Sequence, residues 1–81
     1  MKIHVRLFAS YREAFERDEL ELEVPGGTTC TQIQTQLAAE QPVLERWGSV
    51  VRYGVNCRFV PPETPLTDGD ELVLIPPVSG G

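Results

Sequence analysis

Only one stretch of this chain, Thr29 to Glu40, repeats its apolar residues at helical spacing for long enough to cover a sheet. Cys30, Ile33 and Leu37 fall on one stripe with Ala38 beside it, a narrow apolar face suited to one side of a sheet. Thr29 and Gln32 read as a capping box at its start, and Pro42 stops it. Most of the remaining sequence alternates. One helix cannot cover both faces of a four- or five-stranded sheet, so the second face is left to solvent or to a partner.

The strands follow from period-two patterning. Lys2 to Ala9 places Ile3, Val5 and Leu7 on one side and His4, Arg6 and Phe8 on the other. Ser10 and Glu13 read as a capping box opening a short helix to about Arg17. Glu19 to Val24 alternates again, with Leu20, Leu22 and Val24 inward, and is expected to pair with the first strand. Pro25-Gly26-Gly27 is a turn. Leu44 to Trp47 adds one more helical turn, with Trp47 as a plug at the core edge. Val50 to Val55 and Cys57 to Val60 read as extended, with Gly54 and Asn56 marking a turn or bulge between them. Leu66 to Asp70 turns, and Glu71 to Ile75 is the last strand, with Leu72 and Leu74 toward the helix. Phe8, Val73 and Ile75 fall on the outward side, and Phe59 and Phe8 read equally as docking residues or as plugs at the core edge; clustered together, the four form an apolar patch of the docking kind.

Eighty-one residues make one small domain, and a chain of this size buries only about 60% of its unfolded surface. The net charge is −5, and the seven basic residues are scattered without forming a stripe. Nucleic acid is therefore not an expected partner. The N-terminal segment has no apolar core or cleavage pattern, so a signal peptide is not expected. No run reaches the length of a membrane span, and a cytoplasmic location is expected. Cys30 and Cys57 lack metal-ligand spacing and read as small buried or half-buried apolar residues, with a disulfide not expected. Two cysteines are also too few for an iron–sulfur cluster. His4 has no catalytic partner nearby in sequence. With no nucleophile motif, phosphate loop or carboxylate pair, the chain is poor in chemistry of its own, as suits a carrier or binding role.

The last six residues, Pro76-Pro77-Val78-Ser79-Gly80-Gly81, have a stiff base and a slim point. The prolines fix φ and favour an extended path, so the segment projects. A glycine pair has no side chain to block a narrow channel and adopts the dihedrals a receiving site demands. A bare α-carboxylate at Gly81 is inert until activated. Domain boundaries are set accordingly, with residues 1–75 folded and residues 76–81 an extended tail.

Several segments together resemble the small subunits of molybdopterin synthase (the MoaD type), which are ubiquitin-like β-grasp sulfur carriers. They are Leu7-Phe8-Ala9 with Arg12-Glu13, Val55-Asn56, Pro65-Leu66-Thr67-Asp68-Gly69-Asp70-Glu71, and the tail itself. The Asp-Gly-Asp turn is weakly specific. The Pro-Pro-Val-Ser-Gly-Gly ending is highly specific, and the resemblance spans the whole chain.

The resemblance implies an α+β fold, a mixed four- to five-stranded sheet packed on one main helix, with a flexible Gly-Gly tail. It also implies a reaction cycle. An E1-like adenylating enzyme (the MoeB type) uses ATP to activate Gly81, and a persulfide donor supplies sulfur to form a thiocarboxylate. The tail then enters the large subunit (the MoaE type), where sulfur passes to a cyclic pyranopterin. Gly81 carries the sulfur, Gly80 gives a slim approach, and Pro76 and Pro77 aim the tail. Phe8, Phe59, Ile75 and Arg12 are the implied partner-binding positions. The chain itself is expected to bind no cofactor or metal, and the catalytic side chains are expected on the partners. A carrier for thiamine or tRNA thiolation, a lysine-linked modifier and a plain docking module remain alternatives.

Overall fold

The structure, a computed structural model, describes residues 1–77. The tail residues Val78, Ser79, Gly80 and Gly81 lie outside the described residues.

Strand β1 (Lys2–Leu7) buries Ile3, Val5 and Leu7 and exposes the residues between them, as its alternation dictates. Strand β2 (Glu19–Glu23) returns antiparallel, placing Leu22 opposite Ile3 and Leu20 opposite Val5. Helix α2 (Cys30–Glu40) follows, then a 3₁₀ helix (Pro42–Trp47) and strands β3 (Arg52–Val55), β4 (Arg58–Val60) and β5 (Glu71–Ile75). The sheet order is β2-β1-β5-β3-β4. Strand β5 runs parallel to β1 and antiparallel to β3, so the last strand lies at the centre. Its inward residues Leu72 and Leu74 are fully buried. This is the mixed five-stranded β-grasp arrangement.

Helix α2 lays Cys30, Ile33 and Leu37 onto the sheet, all fully buried. Covering an Ile or Leu of this kind stabilises by roughly 1.5–3 kcal/mol each. Both halves of the expected capping box are present: Gln32 N–H donates to Thr29 Oγ1 and Thr29 N–H donates to Gln32 Oε1. The loop before β5 also serves this helix end. Cys30 N–H donates to the Thr64 carbonyl and Thr31 N–H to the Pro62 carbonyl, so amides without intrahelical partners are satisfied.

Five local expectations are corrected. Helix α1 spans Ala9–Phe15 and has no side-chain cap, so Ser10 and Glu13 form no capping box. The helix starts directly off β1, where the Phe8 carbonyl accepts from Tyr11 N–H at 3.0 Å and leaves Ser10 inside the first turn. It ends before Arg17, with Glu16 at φ 55°, because the chain must turn back for Leu7 N–H to reach the Asp18 carbonyl. The extended segment expected from Val50 begins at Arg52, since the amides of Val50 and Val51 both bond back to the Trp47 carbonyl. The β3–β4 turn consists of Asn56 and Cys57, both at positive φ, while Gly54 lies buried within β3. Cys57 is accordingly exposed rather than buried or half-buried, because a side chain on this turn leaves the sheet's end.

The polar residue Gln34 is buried in α2. Its Oε1 accepts from the Tyr11 hydroxyl, and its Nε2 donates to the Leu44 carbonyl at 2.9 Å. This bridge joins both helices and the 3₁₀ segment. Trp47 is half-buried against the core, as expected, with the Arg46 guanidinium 5.0 Å from its ring centroid.

Candidate functional site

The helices leave one sheet face open, and cross-strand register determines what it displays. One row across the sheet reads Glu19, Arg6, Val73, Gly54, Phe59 from edge to edge. A neighbouring row sets Glu21 against His4 and His4 against Glu71. On the other side Ile75 lies opposite Arg52. The open face therefore divides in two. Its β2–β1 half is charged, with Lys2, His4 and Arg6 facing Glu23, Glu21 and Glu19. Its β5–β3–β4 half carries Val73, Ile75, Gly54 and Phe59 at its centre, with Glu71 and Arg52 at its margins.

The charged half is a surface ladder. Lys2 Nζ lies 3.6 Å from Glu21 Oε1, and His4 Nε2 lies 3.7 Å from Glu21 Oε2. Exposed pairs of this kind are worth about 0–1 kcal/mol, so they solvate the face rather than build a site.

The apolar centre of the other half forms two connected depressions. One, of about 540 Å³, is lined by Phe8, Val73, Ile75 and Pro76, with Arg6 and Glu71 at its rim. The other lies over Gly54 between Phe59, Val73 and Ile75, beside Cys57. Val73 and Ile75 belong to both, so the surface is continuous. Phe8 is 46% exposed and Phe59 72%, both high for phenylalanine in a small domain. The structure thus brings Phe8 and Ile75, which the alternation places outward, together with Phe59 along one surface.

It does not bring Arg12 to this groove. Arg12 Nε bonds Asp18 Oδ1 at 2.7 Å and lines a charged depression with Glu13, Glu16 and Arg17 that adjoins the groove only at Ala9. Pro76, read as the first tail residue, is buried and lines the groove, whereas Pro77 is exposed. The tail is thereby rooted beside Phe8.

Sequence reasoning missed Gly54 as the groove's floor. The available signal was a glycine inside a strand pattern, which marks a place where something approaches the backbone closely. Among the described residues, no group of three or more His, Cys, Asp or Glu side chains is arranged to hold a metal ion. No helix among them is long and apolar enough to cross a membrane. Both cysteines are free.

Comparison with known proteins shows the family and the fold. The ThiS family matches residues 5–81. The chain is 38% identical to the molybdopterin synthase sulfur carrier subunit of Mycobacterium tuberculosis, covering 100% of this chain and 99% of that one. Among solved structures it is similar to the small archaeal modifier protein 1 of Methanosarcina acetivorans, with a TM-score of 0.77, 28% identity, and coverage of 99% of this chain and 96% of that one. It is also similar to a chain in the complex of subunits 1 and 2 of the molybdopterin-converting factor from Helicobacter pylori. There the TM-score is 0.65 and the identity 26%, with 100% of both chains covered.

Proposed function

The chain belongs to the ThiS family, and from that footing we propose that it is the sulfur-carrier subunit of a molybdopterin synthase. The observation that carries this reading is the full-length likeness to a named sulfur carrier, within a family match that runs through Gly81.

The carrier chemistry needs little from the folded domain. An adenylating partner joins the Gly81 carboxylate to AMP from ATP and releases pyrophosphate. The outer sulfur of a persulfide attacks the acyl-adenylate and expels AMP, and a thiol then cleaves the resulting acyl disulfide to leave the thiocarboxylate at Gly81 and a disulfide on the donor. The thiocarboxylate sulfur then attacks a cyclic pyranopterin monophosphate bound to the large subunit, water hydrolyses the resulting thioester to return the Gly81 carboxylate, and two such transfers build the dithiolene. The side chains that catalyse transfer belong to the large subunit, and ATP is consumed by the activating enzyme, both in the cytoplasm.

The domain supplies docking and aim. The Phe8–Ile75–Phe59 groove is the surface we assign to the large subunit, and its continuity with Pro76 directs the tail from that interface. The Helicobacter pylori chain is named as one of two subunits in a complex, which supports a large-subunit partner here.

Intact mass spectrometry of the chain isolated from its own cells tests the proposal. The expected result is a species heavier by one oxygen-to-sulfur exchange at Gly81, which converts the pterin precursor when mixed with the large subunit. A chain that never carries sulfur overturns the reading. The likeness to a small archaeal modifier favours a second reading, conjugation through Gly81 to lysines. Recovery of the chain in isopeptide linkage would establish it.

A further inference from the structure

Resting on that docking assignment, we propose that Asn56 and Asp70 are positioning residues that clamp the two walls of the groove in register for the large subunit. One wall is the β3–β4 hairpin, which carries Phe59. The other is β5, which carries Val73 and Ile75. Phe59 is weakly held by its own element. Strand β4 has three residues, lies at the sheet's edge and pairs only with β3. Its connection to β3 is two residues long, with Asn56 at φ 48° and Cys57 at φ 71°. Left-handed backbone is disfavoured for a residue with a Cβ, so Cys57 does not hold the turn by its own preference.

External hydrogen bonds hold it instead. Asn56 N–H donates to the Glu71 carbonyl at 2.9 Å, and Asn56 Oδ1 accepts from Glu71 N–H at 3.0 Å. Asn56 Nδ2 donates to Asp70 Oδ1 at 2.9 Å. Asp70 is fixed in turn, accepting at Oδ2 from Thr67 N–H at 2.8 Å and at Oδ1 from the Thr67 hydroxyl at 3.0 Å. Its carbonyl accepts from His4 N–H, which ties the same point to β1. The side chain of one turn residue thus joins the hairpin bearing Phe59 to the start of the strand bearing Val73 and Ile75. Strand β3 stays paired with β5 along four residues, so loss of the Asn56 side chain frees the turn and the short strand β4 that carries Phe59, while the β3–β5 ladder and the helix-facing core stay in place.

The test is a double-mutant cycle on docking, measured by calorimetry with the full chain and the large subunit. Asn56→Ala should weaken binding about tenfold with the circular dichroism spectrum retained. In a Phe59→Ala background the same change should cost less than about twofold, because Asn56 acts through Phe59. Additive losses, or unchanged affinity of Asn56→Ala, overturn the proposal. If Asn56→Ala does not fold, Asn56→Asp and the swap Asn56→Asp/Asp70→Asn decide the matter. The single variant loses the donor to Asp70 and sets two carboxylates together, and should bind about tenfold more weakly. The swap restores one donor and one acceptor and should return to within about threefold of the parent. No recovery in the swap overturns the clamp. Failure of the unsubstituted chain to bind is a different result, since it removes the docking assignment itself.

Discussion

Gly54 stands directly opposite Phe59 across the β3–β4 ladder. It also stands opposite Val73 across the β3–β5 ladder, so the middle of this row has no side chain. The space between Phe59 and Val73 exists because of that omission. A Cβ at position 54 would meet the Arg58 carbonyl at 3.6 Å and Val73 Cβ at 3.8 Å, which are ordinary contacts. Gly54→Ala should therefore fold and still dock. Gly54→Leu should also fold, since a strand gains from a side chain, but should fill the groove and weaken docking about tenfold or more. Binding of the folded Leu variant at parental affinity would place the interface elsewhere.

Phe8 and Phe59 separate docking from stability. Phe59 is largely exposed, so its truncation should change unfolding free energy by only about 0.5 kcal/mol, while Phe8 is just over half covered and its truncation should cost about 1 kcal/mol. Burial of either ring on a partner is worth roughly 1.5–3 kcal/mol. Phe8→Ala and Phe59→Ala should each weaken large-subunit binding by about that amount, read by calorimetry, with circular dichroism unchanged. Gross unfolding would return the rings to the core.

Much of this was legible in the sequence, and the failures share a cause. Period-two alternation identified the inward residues of β1 and β5 because burial on one face writes itself locally. It also singled out Phe8, Val73 and Ile75 as outward. Alternation says nothing about which strand neighbours which, so the central, parallel placement of β5 became visible only in the fold. The row that joins Phe59 to Val73 through Gly54 depends on that placement. Gln34 was missed for a similar reason. On a helical wheel it is a polar residue beside the apolar stripe, and only the approach of Tyr11 and Leu44 makes its burial favourable. Ser10 and Glu13 had the spacing of a cap but not its position, since the helix begins at Ala9 with Phe8 as its cap residue, two residues earlier than such a cap requires.

The Gln34 bridge gives a stability prediction. Gln34→Leu removes the acceptor of the Tyr11 hydroxyl and one donor to the Leu44 carbonyl, leaving the buried hydroxyl without its partner. The cost should be about 1–3 kcal/mol, read as a lower urea midpoint with an unchanged slope. Tyr11→Phe in the leucine background should recover part of it by deleting one orphaned hydroxyl. No recovery would mean that the hydroxyl finds another partner.

The two thiols should react at very different rates. Cys57 is exposed on its turn, whereas Cys30 is fully buried under the helix. Burial pushes the Cys30 thiol up to about 11, and the nearby Asp70 charge adds to the rise against an opposing backbone hydrogen bond. The thiolate is the reactive form, so alkylation at neutral pH should label Cys57 quickly and Cys30 only on unfolding. Peptide mapping after a short pulse reads this directly. Equal labelling of both would show that the helix opens on the timescale of the reagent.

Asp70 makes stability depend on pH with a defined sign. Partial burial pushes its carboxyl up, but hydrogen bonds from Thr67 N–H, the Asn56 amide and the Thr67 hydroxyl outweigh that effect and hold it below the ordinary value of 3.8. A carboxyl depressed in the folded state contributes stability that is full above its unfolded value and is lost as pH falls through its folded value. Asp70→Asn removes that titration, while the other carboxylates titrate alike in both proteins and cancel in the difference. The parent should exceed the variant in unfolding free energy by a constant margin from pH 7 down to about 5, and the margin should shrink below about pH 4. Urea titrations across that range measure it. A margin that stays level to the lowest pH, or widens there, would show that the Asp70 carboxylate is not what the Thr67 and Asn56 donors hold.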